Sequence, residues 1–249
     1  MEILGLDKIK RSDEINITGL DKIKTQPDLP QMSPFAVELI NLVNRARELD
    51  TELKEFGASM HQYQFDPVIP LSKVRDFEQR HKIKLPQGYV DFLTQVGNGG
   101  AGPDYGLYSL ERMEEEAYYD HSTSVCPYTK VKSEPDYDTL PYTIEGKEPM
   151  VNSMLTLPKW ENWYNILHQL GESGDEEAWS KMYAEGYNGL VQIVDSGCCT
   201  GYMLVCSGDM CGEVVFFRHE MEMPTPVNMK FEDWVLQHFK RIAAKYERH

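Results

Sequence analysis

The chain has 249 residues, 41% of them hydrophobic, and sets 40 carboxylates against 25 lysines and arginines for a formal net charge of −15. That apolar content builds a real core and excludes wholesale disorder, and the length fits one large domain or one domain with an extension. The charge excludes nucleic-acid binding through a general basic face and disfavours docking on anionic lipid.

The N-terminal stretch MEILGLDKIKRSDEI is charged throughout and has no apolar core of signal-peptide length. No run approaches the roughly 20 apolar residues that a membrane helix requires. The five cysteines, an odd number, lie mostly in one strand region rather than in a spaced framework, which suits a reducing compartment. A soluble, cytoplasmic protein is expected.

In chain order, residues 1–32 read as an extension. It carries one six-residue segment twice, Gly5-Leu6-Asp7-Lys8-Ile9-Lys10 and Gly19-Leu20-Asp21-Lys22-Ile23-Lys24, too short and too few to be a solenoid unit. Pro27 and Pro30 mark a linker. Residues 33–66 hold a helix that packs on the main domain, with Ser33 as cap and Pro34 in the first turn. Val37, Ile40, Val43, Ala46, Leu49, Leu53 and Phe56 follow at helical spacing up to Gly57. The main domain spans 67–249. Its first helix starts near Ser72, with Val74 and Phe77 inward and Arg75, Glu78 and Arg80 outward. Leu85 to Leu110 then reads as a helix opened by Pro86, stopped by Gly97 and a glycine-rich turn, and followed by an alternating strand from Tyr105. An insertion at about 111–155 shows no long period and predicts loops with short helical turns.

Trp160 to Leu170 and Glu176 to Glu185 read as helices. Leu190–Val194, Gly201–Cys206 and Glu213–Arg218 read as strands joined by Gly-containing turns, an antiparallel meander. A last helix from Asn228 or Met229 buries Phe231, Trp234, Val235, Phe239, Ile242 and Tyr246. The fold class is α+β, an antiparallel sheet flanked by helices, in a single domain with an N-terminal helical extension.

Three ordered blocks carry a resemblance. The first is Leu85-Pro86, Tyr89, Phe92-Leu93, Asn98-Gly99-Gly100, Gly102 and Tyr105-Gly106-Leu107. The second is Asp195-Ser196-Gly197-Cys198, Leu204-Val205, Gly208 and Gly212-Glu213-Val214, and the third is the C-terminal helix with Phe231 and Trp234. Together, from about Ile69 to Tyr246, they resemble the SUKH superfamily, which includes yeast SMI/KNR-type cell-wall-synthesis regulators and many bacterial toxin-immunity proteins. Two departures stand out: Val215 intervenes before Phe216 where relatives often place an aromatic directly after Gly-x-Val, and the insertion separates the first two blocks. The resemblance implies a binding protein, not an enzyme.

The residues themselves offer little catalysis. Cys198, Cys199, Cys206 and Cys211 lack the paired knuckle spacing of a zinc ribbon and read as small buried hydrophobes. The seven histidines form no H-x-x-x-H or H-E-x-x-H, and no G-x-S-x-G elbow occurs. The glycine-rich loop follows a helix instead of leading into one and lacks P-loop and Rossmann spacing, so a turn needing positive φ explains it better than a phosphate cradle. No cofactor and no metal site is expected.

Candidate partner contacts are Asp104 and Tyr105 at the exit of the glycine-rich turn. A second set is Glu114, Glu115, Glu116, Tyr118, Tyr119 and Asp120 in the insertion, whose plainest reading is a solvated acidic face. The resemblance implies a cytoplasmic immunity protein that neutralises a cognate protein toxin by stoichiometric association. A basic toxin would be the electrostatic match for this acidic chain. The alternative is an intracellular scaffold or regulator related to the cell-wall-synthesis regulators, and third comes an enzyme using the cysteine cluster.

Overall fold

The computed structural model describes residues 32–115, 129–131, 154–156, 160–218 and 224–248, within one compact unit, Met32–His249. The N-terminal repeat and most of the insertion lie outside the described residues.

Helix α1, Pro34–Leu49, starts as the sequence predicts: the Ser33 hydroxyl accepts from the Ala36 N–H at 3.2 Å, with Pro34 at the first position. Its buried face is Ala36, Leu39, Val43 and Ala46, while Val37 and Phe56 of the expected stripe are exposed. The helix ends at Leu49 because Asp50 turns the chain. The Asp50 carboxylate accepts the backbone N–H groups of Lys54 at 2.8 Å and Glu55 at 3.0 Å. A short helix α2, Ala58–His61, follows.

Helix α3, Leu71–His81, turns Val74 and Phe77 inward as expected, but Glu78 is buried as well. Its charge is met by Arg75 at 2.6 Å, Lys84 at 2.9 Å and the Leu85 N–H at 3.0 Å. That set of donors is what lets a carboxylate leave water. Helix α4, Gln87–Asp91, runs into a π-helical turn, Phe92–Val96, closed by Gly97 N–H to the Phe92 carbonyl at 3.0 Å.

No strand follows the glycine-rich turn. Leu107 instead makes single bridges to Gly100 and to Val194, and Gly100 bridges Phe65. The expected alternation from Tyr105 thus becomes one-residue pieces on the sheet edge, because Gly106 at φ +98 breaks the extended backbone. Helix α5, Leu110–Glu115, starts directly afterwards.

Strands β1, Thr129–Val131, and β2, Met154–Thr156, pair antiparallel within the insertion. Helices α6, Trp160–Ser173, and α7, Glu176–Gly186, pack on each other. The main sheet is an antiparallel meander of β3, Leu190–Gly197, β4, Thr200–Val205, β5, Glu213–Arg218, and β6, Thr225–Lys230. Strand β6 goes beyond the sequence expectation and pushes the start of helix α8, Phe231–Tyr246, past Asn228.

Helix α8 packs on α1 and on the sheet. Trp234 meets Tyr202 at 4.9 Å, and Tyr202 meets its cross-strand partner Phe216 at 5.1 Å. Phe231 gathers Tyr89 at 4.9 Å, Phe92 at 5.9 Å and Phe35 at 6.0 Å. The tyrosine and phenylalanine after Leu85-Pro86 therefore dock this segment onto the C-terminal helix. Each such buried ring contributes about 1.5–3 kcal/mol.

Candidate functional site

The glycine-rich loop, the β3–β4 hairpin, α2 and α8 meet at one corner. Its frame is backbone. Gly100 and Leu107 exchange N–H···O bonds at 2.9 and 2.8 Å, Tyr108 N–H reaches the Ile193 carbonyl at 2.9 Å, and Ala101 N–H reaches Gln64 at 2.7 Å. Gly100, at φ +100, lies so close to the preceding segment that a Cβ would stand 2.4 Å from the Gln64 carbonyl oxygen. Asn98 closes the other side. Its side-chain oxygen accepts the Leu110 N–H at 2.9 Å and its amide donates to Glu111 at 2.7 Å, so the Asn-Gly-Gly run also caps α5.

Asp104 and Tyr105 project from this frame. The Asp104 carboxylate accepts from the Ser196 hydroxyl of β3. Burial raises its carboxyl above the ordinary carboxylate value, opposed by the Ser196 bond and by Arg241, while Asp195 adds to the rise. The Tyr105 ring rests on Gly197, where a Cβ would come within 3.1 Å of its hydroxyl oxygen, and is 39% exposed. Phe56 packs on it with ring centroids 5.2 Å apart and is 61% exposed, and nearby in sequence Met60 is 69% exposed. Gly57 seats this segment directly on the Asp104 carbonyl.

Beneath lie two imidazoles and a guanidinium. His61 Nδ1 accepts the Tyr63 N–H at 3.0 Å. Burial pushes its imidazole down to about 4, with the bond to the Gly102 backbone pulling the other way. His238 of α8 is pushed down to about 3 by burial, then by Arg241 and His61, and Arg241 approaches its Nδ1 at 3.4 Å. Burial also raises the Tyr202 hydroxyl. Asp104 is partnered by Ser196, and Arg241 by His238. Among the described residues no group of three histidines, cysteines or carboxylates could hold a metal ion.

The remaining sequence candidates are placed differently. Glu114 pairs with Arg80 and, at 3.0 Å, with His81, which ties the end of α5 to α3. Glu115 is exposed. Glu116, Tyr118, Tyr119 and Asp120 lie outside the described residues. Arg112 links α5 to the corner, 4.2 Å over the Tyr108 ring and 3.9 Å from Asp195.

Sequence reasoning missed Phe56, which its spacing assigned to the buried stripe of α1, missed Ser196 and Arg241 as neighbours of Asp104, and missed His238 as a neighbour of Arg241 and His61. The one available signal was Gly57 beside Phe56: a left-handed glycine there ends the segment before any helical stripe could bury the ring. The cysteines also differ from expectation, since Cys206 is buried but Cys198, Cys199 and Cys211 are exposed. Cys198 and Cys199 occupy the hairpin turn, where side chains leave the ladder.

A separate cavity of about 580 Å³ lies among Arg75, Glu78, Lys82, Lys84, Cys206 and Ser207. Glu78 takes up the charges of Arg75 and Lys84. No described helix is long and apolar enough to cross a membrane.

A family model described as SMI1 / KNR4 family (SUKH-1) matches residues 69–237. No curated protein matches the chain, and no solved structure does.

Proposed function

The chain belongs to the SMI1 / KNR4 family (SUKH-1), and from that premise we propose that it is a non-catalytic binding protein that neutralises a cognate, basic protein toxin by stoichiometric association. The observation that carries this reading is the exposed Phe56–Tyr105 pair, held on a backbone frame that side-chain motion cannot relax. Rigid aromatic side chains on a fixed corner are the usual anchors of a protein interface, because they lose little entropy on docking. The formal charge of −15 supplies the long-range term. It steers a basic partner and raises the encounter rate, while the anchors set how long the complex lasts. Tyr105 is tied to the hairpin by its N–H to the Asp195 carbonyl at 3.4 Å, beside the Asp104–Ser196 bond.

The test starts with the native protein as bait in its own lysate, followed by titration of the purified partner's activity. Inhibition complete at one equivalent, with association weakened at high salt, is the expected result. Tyr105→Ala should then weaken binding roughly 30-fold, in line with an interface hot spot of about 2 kcal/mol. Several substoichiometric partners with no inhibited activity would replace this reading with that of a scaffold or regulator. An unchanged affinity in Tyr105→Ala would move the interface away from the corner.

A further inference from the structure

The β3–β4 hairpin turns through Cys198 and Cys199, with Gly197 and Thr200 paired on either side. Both cysteines are left-handed, at φ 51 and φ 60. Two consecutive positive φ values define the turn that hairpins normally build from Asn-Gly or Gly-Gly. For residues carrying a Cβ the same conformation costs about 1–2 kcal/mol each. The hairpin is held in this form by other bonds: Thr200 Oγ1 donates to the Gly197 carbonyl at 2.7 Å and the Gly197 N–H donates to Asp195 Oδ1 at 2.7 Å. Two thiols, adjacent, both exposed and carried on left-handed backbone, thus stand at the apex of a braced turn.

In a strand, neighbouring side chains point to opposite faces. At a two-residue apex neither side chain enters the ladder, so the sheet pairing holds neither sulfur on an opposite face. The other described thiols are separated from them. Cys206 is buried, and Cys211 lies in the β4–β5 connection at the far end of β4, about 17 Å of strand away. Soft sulfur ligands select soft, thiophilic centres.

We infer that Cys198 and Cys199 form a vicinal dithiol site that binds a trivalent arsenoxide-class centre through both sulfurs. The step is a condensation without redox change. Two S–H bonds and the As=O bond break, two As–S bonds form, and the arsenic oxygen leaves as water with the two thiol protons. Both thiolate arms belong to one turn, so the second bond forms intramolecularly and the chelate gains over a single thiol by a factor on the order of 100 or more. The site adjoins Gly197, on which Tyr105 rests, but its existence does not depend on the proposed toxin partner.

Phenylarsine oxide is the probe, added to the full chain before thiol titration with an aromatic disulfide reagent. One equivalent should protect two thiols together, and a small dithiol but not a monothiol should reverse it. Cys198→Ser and Cys199→Ser should each lower the affinity about 100-fold, whereas Cys211→Ser and a serine at the fifth cysteine of the sequence, Cys126→Ser, leave it unchanged. The double variant Cys198→Asn, Cys199→Gly carries the favoured turn residues, so it folds and should have lost the chelate entirely. Protection that survives in that variant, or that disappears in Cys211→Ser or Cys126→Ser, would overturn the assignment.

Discussion

Asp50 shows what a single buried carboxylate does in this chain. It is 1% exposed and accepts four bonds: the N–H groups of Lys54 and Glu55, the Tyr63 hydroxyl at 2.7 Å and the Tyr246 hydroxyl at 3.1 Å. Burial pushes its carboxyl up, but the two N–H groups and two hydroxyls outweigh that and hold it below its ordinary 3.8. Asp50→Ala should therefore cost about 3 kcal/mol, since donors from three segments lose a charged acceptor, and Tyr63→Phe about 1.5 kcal/mol. Both should lower the urea midpoint at constant m-value, and an unshifted midpoint in Asp50→Ala would reduce the cluster to decoration. The histidines act at a higher pH. His61 and His238 are held down to about 4 and about 3 against an ordinary 6.5. The unfolded chain thus binds protons first at these two sites, and their contribution to stability declines as pH falls below 6.5 and levels off near 3. Arg241 sharpens this by repelling a charged His238, whereas Asp104, raised by burial, opposes it by taking up a proton more readily in the folded state. Denaturation midpoints between pH 7 and pH 4 should fall with acid in the native protein, with a shallower slope in His61→Gln. Parallel slopes would show that His61 does not titrate through this window.

At the scale of elements, the glycine-rich corner is decided by backbone contact. Gly100→Ala would need a Cβ 2.4 Å from the Gln64 carbonyl oxygen and 2.8 Å from the Phe65 Cα at φ +100. Neither neighbour is a flexible side-chain end, so the bridges from Phe65 to Leu107 must part at a cost of about 3 kcal/mol. Thermal unfolding of Gly100→Ala reads this directly, and a melting temperature equal to the native protein's would deny the close approach. The helix and its glycine stop were legible because their signals are contiguous: Pro86, the apolar spacing to Val96 and the glycine run report on one another, whereas the strand expected from Tyr105 is only isolated bridges. Three strands of the meander were legible for the same reason. Strand β6 was not, because Pro226 removes a ladder donor and Asn228 sits at φ 59, two features that argue against a strand within the segment. The phase of α1 was misread because Ala36, a small residue, carries the buried face while the larger Val37 is exposed. Only the α8 surface opposite decides between them. The cluster around Asp104 draws on α2, β3 and α8, and no local pattern joins His61 to His238.

For the whole molecule, the question is where the folding unit begins. The family match starts at residue 69, yet Ala36, Leu39, Val43, Ala46, Ala58 and Tyr63 belong to the same buried cluster as Phe231, Phe239 and Ile242. Polar ties run the same way: Lys245 pairs with Glu55 at 2.7 Å, Lys240 with Glu38 at 2.6 Å and Arg45 with Glu247 at 3.1 Å. These exposed pairs contribute little singly, so the apolar contact of α1 with α8 carries the attachment. Leu39, fully buried, should cost about 3 kcal/mol as Leu39→Ala through lost transfer energy and the cavity left behind. If residues 34–66 form one cooperative unit with the family-matching segment, chemical unfolding of Leu39→Ala followed by tryptophan fluorescence and by far-UV circular dichroism should show one shared, lowered midpoint. Trp234 reports from α8 in that experiment, far along the chain from the substitution. A fragment covering 69–249 would bare the α1-facing side of α8 and remove the Tyr63 and Asp50 ties, and it should lack a cooperative transition at all. Cooperative unfolding of that fragment with a native-like midpoint would make α1 a detachable appendage, and the Phe56 side of the aromatic pair would then belong to a separate module from Tyr105.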